Sequence, residues 1–151
     1  MPQTVGAMSW MNAKVEISVD AAFTTPTDLS GSTNTVTTGG GEIARATAST
    51  HGDKAPLVGY GSAAERTVEV GTLYTEVATE AFMLADQYYE DETPVYLRVT
   101  PDDTVAGQRR FKTSVGRILT PPQIVGEAGS AEFVQTTFTL TCATITWEDV
   151  P

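Results

Sequence analysis

Glu132-Phe133-Val134-Gln135-Thr136-Thr137-Phe138-Thr139-Leu140-Thr141-Cys142-Ala143-Thr144-Ile145-Thr146-Trp147 is the longest strand pattern in the chain. Val134, Phe138, Leu140 and Cys142 share even phase, whereas Ile145 and Trp147 have odd phase. Side chains alternate across a strand, so a slip of one residue moves the whole apolar set to the opposite face. A strand with such a slip needs a bulge or a crossing between two sheets. The pattern therefore predicts a sandwich or barrel rather than a flat sheet.

The rest of the chain agrees with that class. The 151 residues include 25 Thr and 15 Val against 7 Leu and 3 Lys. β-Branched residues suit a pleated surface and lose χ1 freedom in helices. Lys14 to Asp20 alternates polar and apolar without a fault, the period of a strand with one face in a core. Ser30 to Thr38 can be a strand with little to bury. Thr67 to Tyr74 resumes strand character, with Val68 and Val70 opposite Glu69. Val95, Leu97 and Val99 alternate with Tyr96 and Arg98, and Arg110 through Leu119 returns as the second arm of a hairpin. Pro121-Pro122 and the small residues up to Ala131 form a linker-like loop.

Two stretches depart from this period. From Thr79 to Glu90, Phe82, Ala85 and Tyr89 fall at i, i+3 and i+7, which predicts a helix with Thr79 as N-cap and Glu80 in its first turn. It stops at Glu90-Asp91-Glu92, where three negative charges oppose the helix dipole. From Gly39 to Ala64 the chain is mostly Gly, Ala, Ser and Thr, with one apolar knot at Pro56-Leu57-Val58, and is expected to be a long mobile excursion that a partner orders. The expected architecture is mainly β: one domain over residues 1–151, an antiparallel β-sandwich or barrel of about seven or eight strands. One flanking helix over about 79–90 and an excursion loop over about 39–64 complete it.

Composition narrows function. Against 9 Lys+Arg stand 19 Asp+Glu, a formal charge of −10, which removes the electrostatic attraction that groove-reading DNA binders use. One cysteine, Cys142, and one histidine, His51, leave little for a disulfide framework, a zinc site or a nucleophile pair. His51-Gly52-Asp53 could pair a base with a carboxylate, but it has no nucleophile near it and reads better as a turn. Gly39-Gly40-Gly41 is followed by neither Lys-Ser/Thr nor a helix, so it is no phosphate loop. Asp86, Glu90, Asp91, Glu92, Asp102 and Asp103 supply oxygens of the kind calcium takes, without EF-hand spacing. Cys142 shares phase with Phe138 and Leu140 and reads as a core residue. No catalytic, metal or cofactor-binding residue and no cofactor is expected. Met1 to Trp10 carries no basic residue and no apolar run of export-signal length, and no window reaches the 18 apolar residues of a membrane span. The expected site of synthesis is the cytoplasm, without membrane insertion.

Charge placement suggests contact surfaces. Arg98, Arg109, Arg110, Lys112 and Arg117 cluster in one hairpin, and Asp86, Glu90 and Asp91 precede it. Complementary patches on one molecule are what a head-to-tail interface requires, although pairing within the chain has the same signature.

The order of elements resembles the major tail tube proteins of long-tailed, siphovirus-like bacteriophages. Carrying the resemblance are Trp10 to Ile17, Asp28 to Asn34, Thr50 to Val58, Thr67 to Val70 with Tyr74-Thr75-Glu76, and Pro94 to Arg98 before a long closing strand. Where such proteins place an Arg/Lys-rich segment after the Pro56-like motif, this chain has Gly59 to Arg66. The resemblance implies a non-enzymatic virion protein, a β-sandwich with a flanking helix, self-assembling into hexameric rings. The rings would stack into a hollow tube, assembled in host cytoplasm, that conducts DNA without binding it specifically. It also implies tape-measure and tail-tip or terminator proteins as partners. Gly39, Gly40, Gly41, His51, Gly52, Asp53, Pro56 and Leu57 become the candidate inter-subunit loop. Asp86, Glu90, Asp91, Arg98, Arg109, Arg110 and Lys112 become the candidate charged interface. Glu16, Glu69 and Glu132, on wet strand phases, become candidate bore acids. The alternative is a monomeric carbohydrate-binding or adhesin-like β-sandwich module on a larger particle, with Trp10, Trp147, Tyr60, Tyr88 and Tyr89 as its aromatic platform.

Overall fold

The computed structural model describes residues 12–52, 54–104, 106–129 and 131–151. Twelve strands and one helix follow in the order β1 Lys14–Ser18, β2 Thr27–Asp28, β3 Thr33–Gly40, β4 Ile43–Ala48, β5 Leu57–Ala63, β6 Arg66–Leu73, α1 Ala81–Glu90, β7 Tyr96–Thr100, β8 Arg109–Thr113, β9 Gly116–Ile118, β10 Gln123–Val125, β11 Gln135–Cys142 and β12 Ile145–Asp149. One sheet runs β12-β8-β7-β1-β2 and a second runs β10-β11-β6-β3, with β9 also on β11. Every pairing is antiparallel.

The core lies between these two sheets. Val15 and Ile17 on β1, Leu97 and Val99 on β7 and Phe111 on β8 meet Val68 and Val70 on β6 and Phe138 and Leu140 on β11. Full burial of side chains of this size contributes roughly 1.5–3 kcal/mol each. Several polar groups inside are paired: the Thr72 and Thr136 hydroxyls share a hydrogen bond, and Thr113 Oγ1 accepts from the Leu97 amide at 3.0 Å.

The phase slip is a crossing. The chain leaves β11 in the second sheet at Cys142 and enters β12 in the first at Ile145. Beside it the chain makes the reverse passage, from β8 to β9, splitting the single strand expected over Arg110 to Leu119. The two crossings are tied together: the Ser114 amide donates to Thr144 O at 2.9 Å, and the Thr144 amide donates to Ser114 Oγ at 3.0 Å. Strands that switch sheets make the corner of a sandwich.

The strand number exceeds seven or eight because β2, β9 and β10 are only two or three residues long and because the excursion is itself paired. β10 lies inside the stretch expected to be a loop. The span 39–64 is no irregular loop: β4 and β5 form a hairpin with Ala48 opposite Leu57 and Arg45 opposite Tyr60. This hairpin continues the β3–β6 ribbon past a bend. Gly40 and Gly41 take φ of +74° and +82°, a left-handed conformation open to glycine, and the Gly41 amide bonds Glu65 O at 3.0 Å.

Helix α1 starts two residues later than expected, and its N-cap is Glu80, not Thr79. No side chain of the cap accepts a helix amide. Instead Ser32 Oγ accepts from the Ala81 amide at 3.4 Å, so a loop distant in sequence meets a donor the helix leaves unpaired. Ala81 and Ala85 are buried in the core, and Phe82 packs on Tyr74 with ring centroids 4.8 Å apart. The helix ends at Glu90, and Glu92 beyond it has φ of +52°.

Candidate assembly interface

The first sheet neutralises most of the basic hairpin. Glu16 on β1 stands directly opposite Arg98 on β7, which stands opposite Lys112 on β8. Arg98 Nη2 and Nε both lie 2.7 Å from Glu16 Oε2, and Lys14 Nζ is 3.4 Å from Glu16 Oε1. The Arg98 guanidinium also lies 4.5 Å over the ring of Phe23. One row further, Arg110 Nε is 2.8 Å from Glu148 Oε1 and Lys112 Nζ is 3.4 Å from Glu148 Oε2. Burial pushes the Glu148 carboxyl up, but the Arg110 hydrogen bond and the charges of Arg110 and Lys112 outweigh it and hold the group below its ordinary range. Arg109 lies 5.5 Å over the Trp147 ring.

Arg98, Arg110 and Lys112 are thus paired within the chain, the alternative that the same charge signature allows. Glu16 is 4% exposed, its carboxylate covered by Arg98 of the same chain. Glu69 is exposed on the outer face of the second sheet, between Thr37 and Thr139, and Glu132 is exposed ahead of β11.

Three surfaces are left uncovered by the chain itself. The hairpin β4–β5 is exposed along its whole length, including Ile43, Leu57, Val58 and Tyr60, the last 77% exposed. Gly39, Gly40 and Gly41 lie at its root, while His51, Gly52 and Pro56 lie in its exposed tip; Asp53 is outside the described residues. A second apolar patch follows the β10 edge: Ile124, Val125, Phe133 and Val134. The third is a cleft beside the end of α1. Its two halves share Arg117 and Leu119; one is completed by Tyr89, Glu90, Glu92 and Ile118, the other by Glu65, Pro94, Val115 and the β11 end at Thr141 to Ala143.

The other sequence candidates are dispersed. Tyr60 is on the hairpin, Trp147 stacks at 5.4 Å on Phe111, and Tyr88 and Tyr89 pack against the core, so no aromatic platform forms from them; Trp10 is outside the described residues. Cys142 is buried, and burial pushes its thiol above the ordinary range. Among the described residues no three His, Cys, Asp or Glu side chains gather into a possible metal site, and no helix is long and apolar enough to cross a membrane. Thr104 holds Asp102 through its hydroxyl and amide. The β10 patch and the cleft lacked a sequence signal, because both are assembled from residues that alternation leaves unassigned.

A chain of the anti-feeding prophage baseplate, 6-fold symmetrised, superposes with a TM-score of 0.68 at 11% identity, covering 99% of each chain. A chain of the tail of an empty GTA particle with C6 symmetry gives 0.65 at 8% identity, over 96% of this chain and 100% of that one. A chain of the PVC sheath-tube complex, from an extracellular contractile injection system in the extended state, gives 0.63 at 9% identity over 96% and 93%. This is the fold of tail-assembly chains. No protein-family model and no curated protein matches the sequence. Chains of an extracellular contractile injection system stand among these neighbours.

Proposed function

We propose that the chain is the subunit of a phage-like tail tube. Copies join in rings, six to a ring, which stack into a hollow conduit for DNA within a virion tail. The observation that carries this reading is the hairpin β4–β5. An isolated two-stranded hairpin is marginal in water, yet this one holds Ile43, Leu57, Val58 and Tyr60 in solvent. Such a segment gains its stability from a neighbouring copy. End-to-end likeness to chains from tail and baseplate assemblies, two of them solved with six-fold symmetry, supports the same reading. The open β10 edge with its apolar patch offers a second contact, since an unpaired edge accepts strand addition.

The role is structural. DNA carries about one negative charge per 1.7 Å, so a bore without basic patches lets it slide without sticking. Glu69 and Glu132 remain the candidate bore acids. Tape-measure, tail-tip and terminator proteins are the partners expected at either end of such a tube. Native mass spectrometry of concentrated protein tests the ring: six subunits of 16.0 kDa give 6 × 16.0 = 96 kDa. A 16.0 kDa species alone at every concentration overturns the reading in favour of a monomeric module.

A further inference from the structure

We infer that the hairpin β4–β5 of one copy seats in the cleft beside the end of α1 of a second copy. This rests on the ring-and-tube reading and names the surfaces that make its contact. The hairpin carries a small positive excess in an acidic molecule: residues 43–63 hold Arg45 and Lys54 against Asp53, a net +1 within a chain of −10. Among the described residues neither Arg45 nor Lys54 has an ion-pair partner, whereas Lys14, Arg98, Arg110 and Lys112 of the first sheet are paired with carboxylates and Arg109 lies over Trp147. The cleft has the opposite sign, with Glu65, Glu90 and Glu92 against Arg117. Between those charges it exposes apolar surface, Leu119 at 60% and Val115 at 52%.

The register fixes which hairpin face fits. Arg45 opposes Tyr60 and Thr47 opposes Val58, and residues two apart share a face. Arg45, Tyr60 and Val58 thus project together, and the reverse face carries Ala46, Gly59 and Ala48 with Leu57. Seated in the cleft, Tyr60 and Val58 cover Leu119 and Val115 while Arg45 and Lys54 face Glu90 and Glu92. Glu65, which lines the cleft, is also at the hairpin root, so each copy gives a hairpin beside the place where it takes one. Donor and acceptor surfaces on one chain make a head-to-tail contact that repeats.

The test is cysteine cross-linking in a Cys142→Ala background. Tyr60→Cys with Leu119→Cys, oxidised with copper phenanthroline, is expected to give a ladder of covalent multimers that disappears on reduction and at dilution below assembly. In parallel, Arg45→Glu with Lys54→Glu raises the critical assembly concentration at least tenfold, as does Glu90→Lys with Glu92→Lys, and combining all four restores assembly. Apart from the buried Cys142 of the background, every substituted position is exposed, and circular dichroism and Tm unchanged from the Cys142→Ala protein identify folded variants. Rings that form normally without cross-links and without charge rescue overturn this contact and leave the tube reading standing. Wild-type protein that never associates overturns both.

Discussion

Glu16 shows how a residue's surroundings decide its role. Alternation places it on the face opposite Val15 and Ile17, and that is where it lies. Strand phase says nothing of what covers that face, and Arg98 reaches over it from β7, itself held against the ring of Phe23. The resulting pair is largely desolvated, with Glu16 and Arg98 side chains 6% and 14% exposed. Removing Arg98 leaves the buried Glu16 carboxylate with Lys14 as its remaining cation, so Arg98→Ala is expected to lower the unfolding free energy by at most about 3 kcal/mol in urea titration. Arg98→Met, tested with Glu16→Gln, is expected to recover most of the loss. The Glu148 carboxyl gives a pH dependence of known sign. Its folded pKa lies below its ordinary value of 4.5, so the Arg110 and Lys112 contacts stabilise the fold above that pH and are lost as pH falls through the folded value. Melting curves from pH 6 to pH 2 should show a shallower acid limb for Glu148→Gln than for the wild type.

At the level of elements, legibility follows side-chain size and phase. β1, β6, β7 and β11 were readable because large apolar residues alternate in them. The slip between Leu140 and Ile145 was readable as a change of sheet because Ile145 is the first large apolar residue out of step. β9 and β10 are three residues each and give no period, and β4 and β5 consist largely of Ala, Gly, Thr and Ser, with both faces in solvent. A strand without a buried face has no amphipathic pattern to detect. The hairpin's independence has a consequence. Deleting residues 42–64 joins Gly41 to Glu65 as a two-residue turn between Gly40 and Arg66, which already oppose each other. Stability should change by less than about 1 kcal/mol, about 3 °C in Tm for a chain of this size, while association is abolished. Loss of the folded state in this variant would show that the hairpin supports the sandwich.

For the whole molecule, charge and shape act against each other. Each copy carries −10, so a ring of six carries 6 × −10 = −60 before counterions. The proposed contacts that would oppose this repulsion are local: the hairpin, the β10 edge and the cleft, each with exposed apolar side chains, and charge pairs added between hairpin and cleft. Repulsion between whole subunits acts over distance and is screened within about 8 Å at 0.15 M salt, whereas pairs at contact are screened less. Added salt is therefore expected to promote assembly in light scattering between about 0.05 and 0.5 M, and assembly that is best at the lowest ionic strength would run against this account. Composition made the repulsion visible from the start. The surfaces that overcome it were legible only in part, because Arg45 and Lys54 acquire meaning once the first sheet is seen to occupy its own cations.

Negative-stain electron microscopy of the concentrated protein, with salt raised stepwise, addresses the central claim most directly. The account predicts six-fold rings and hollow tubes built from them, absent in the protein lacking residues 42–64. A uniform field of 16.0 kDa particles at every concentration and salt level would contradict it.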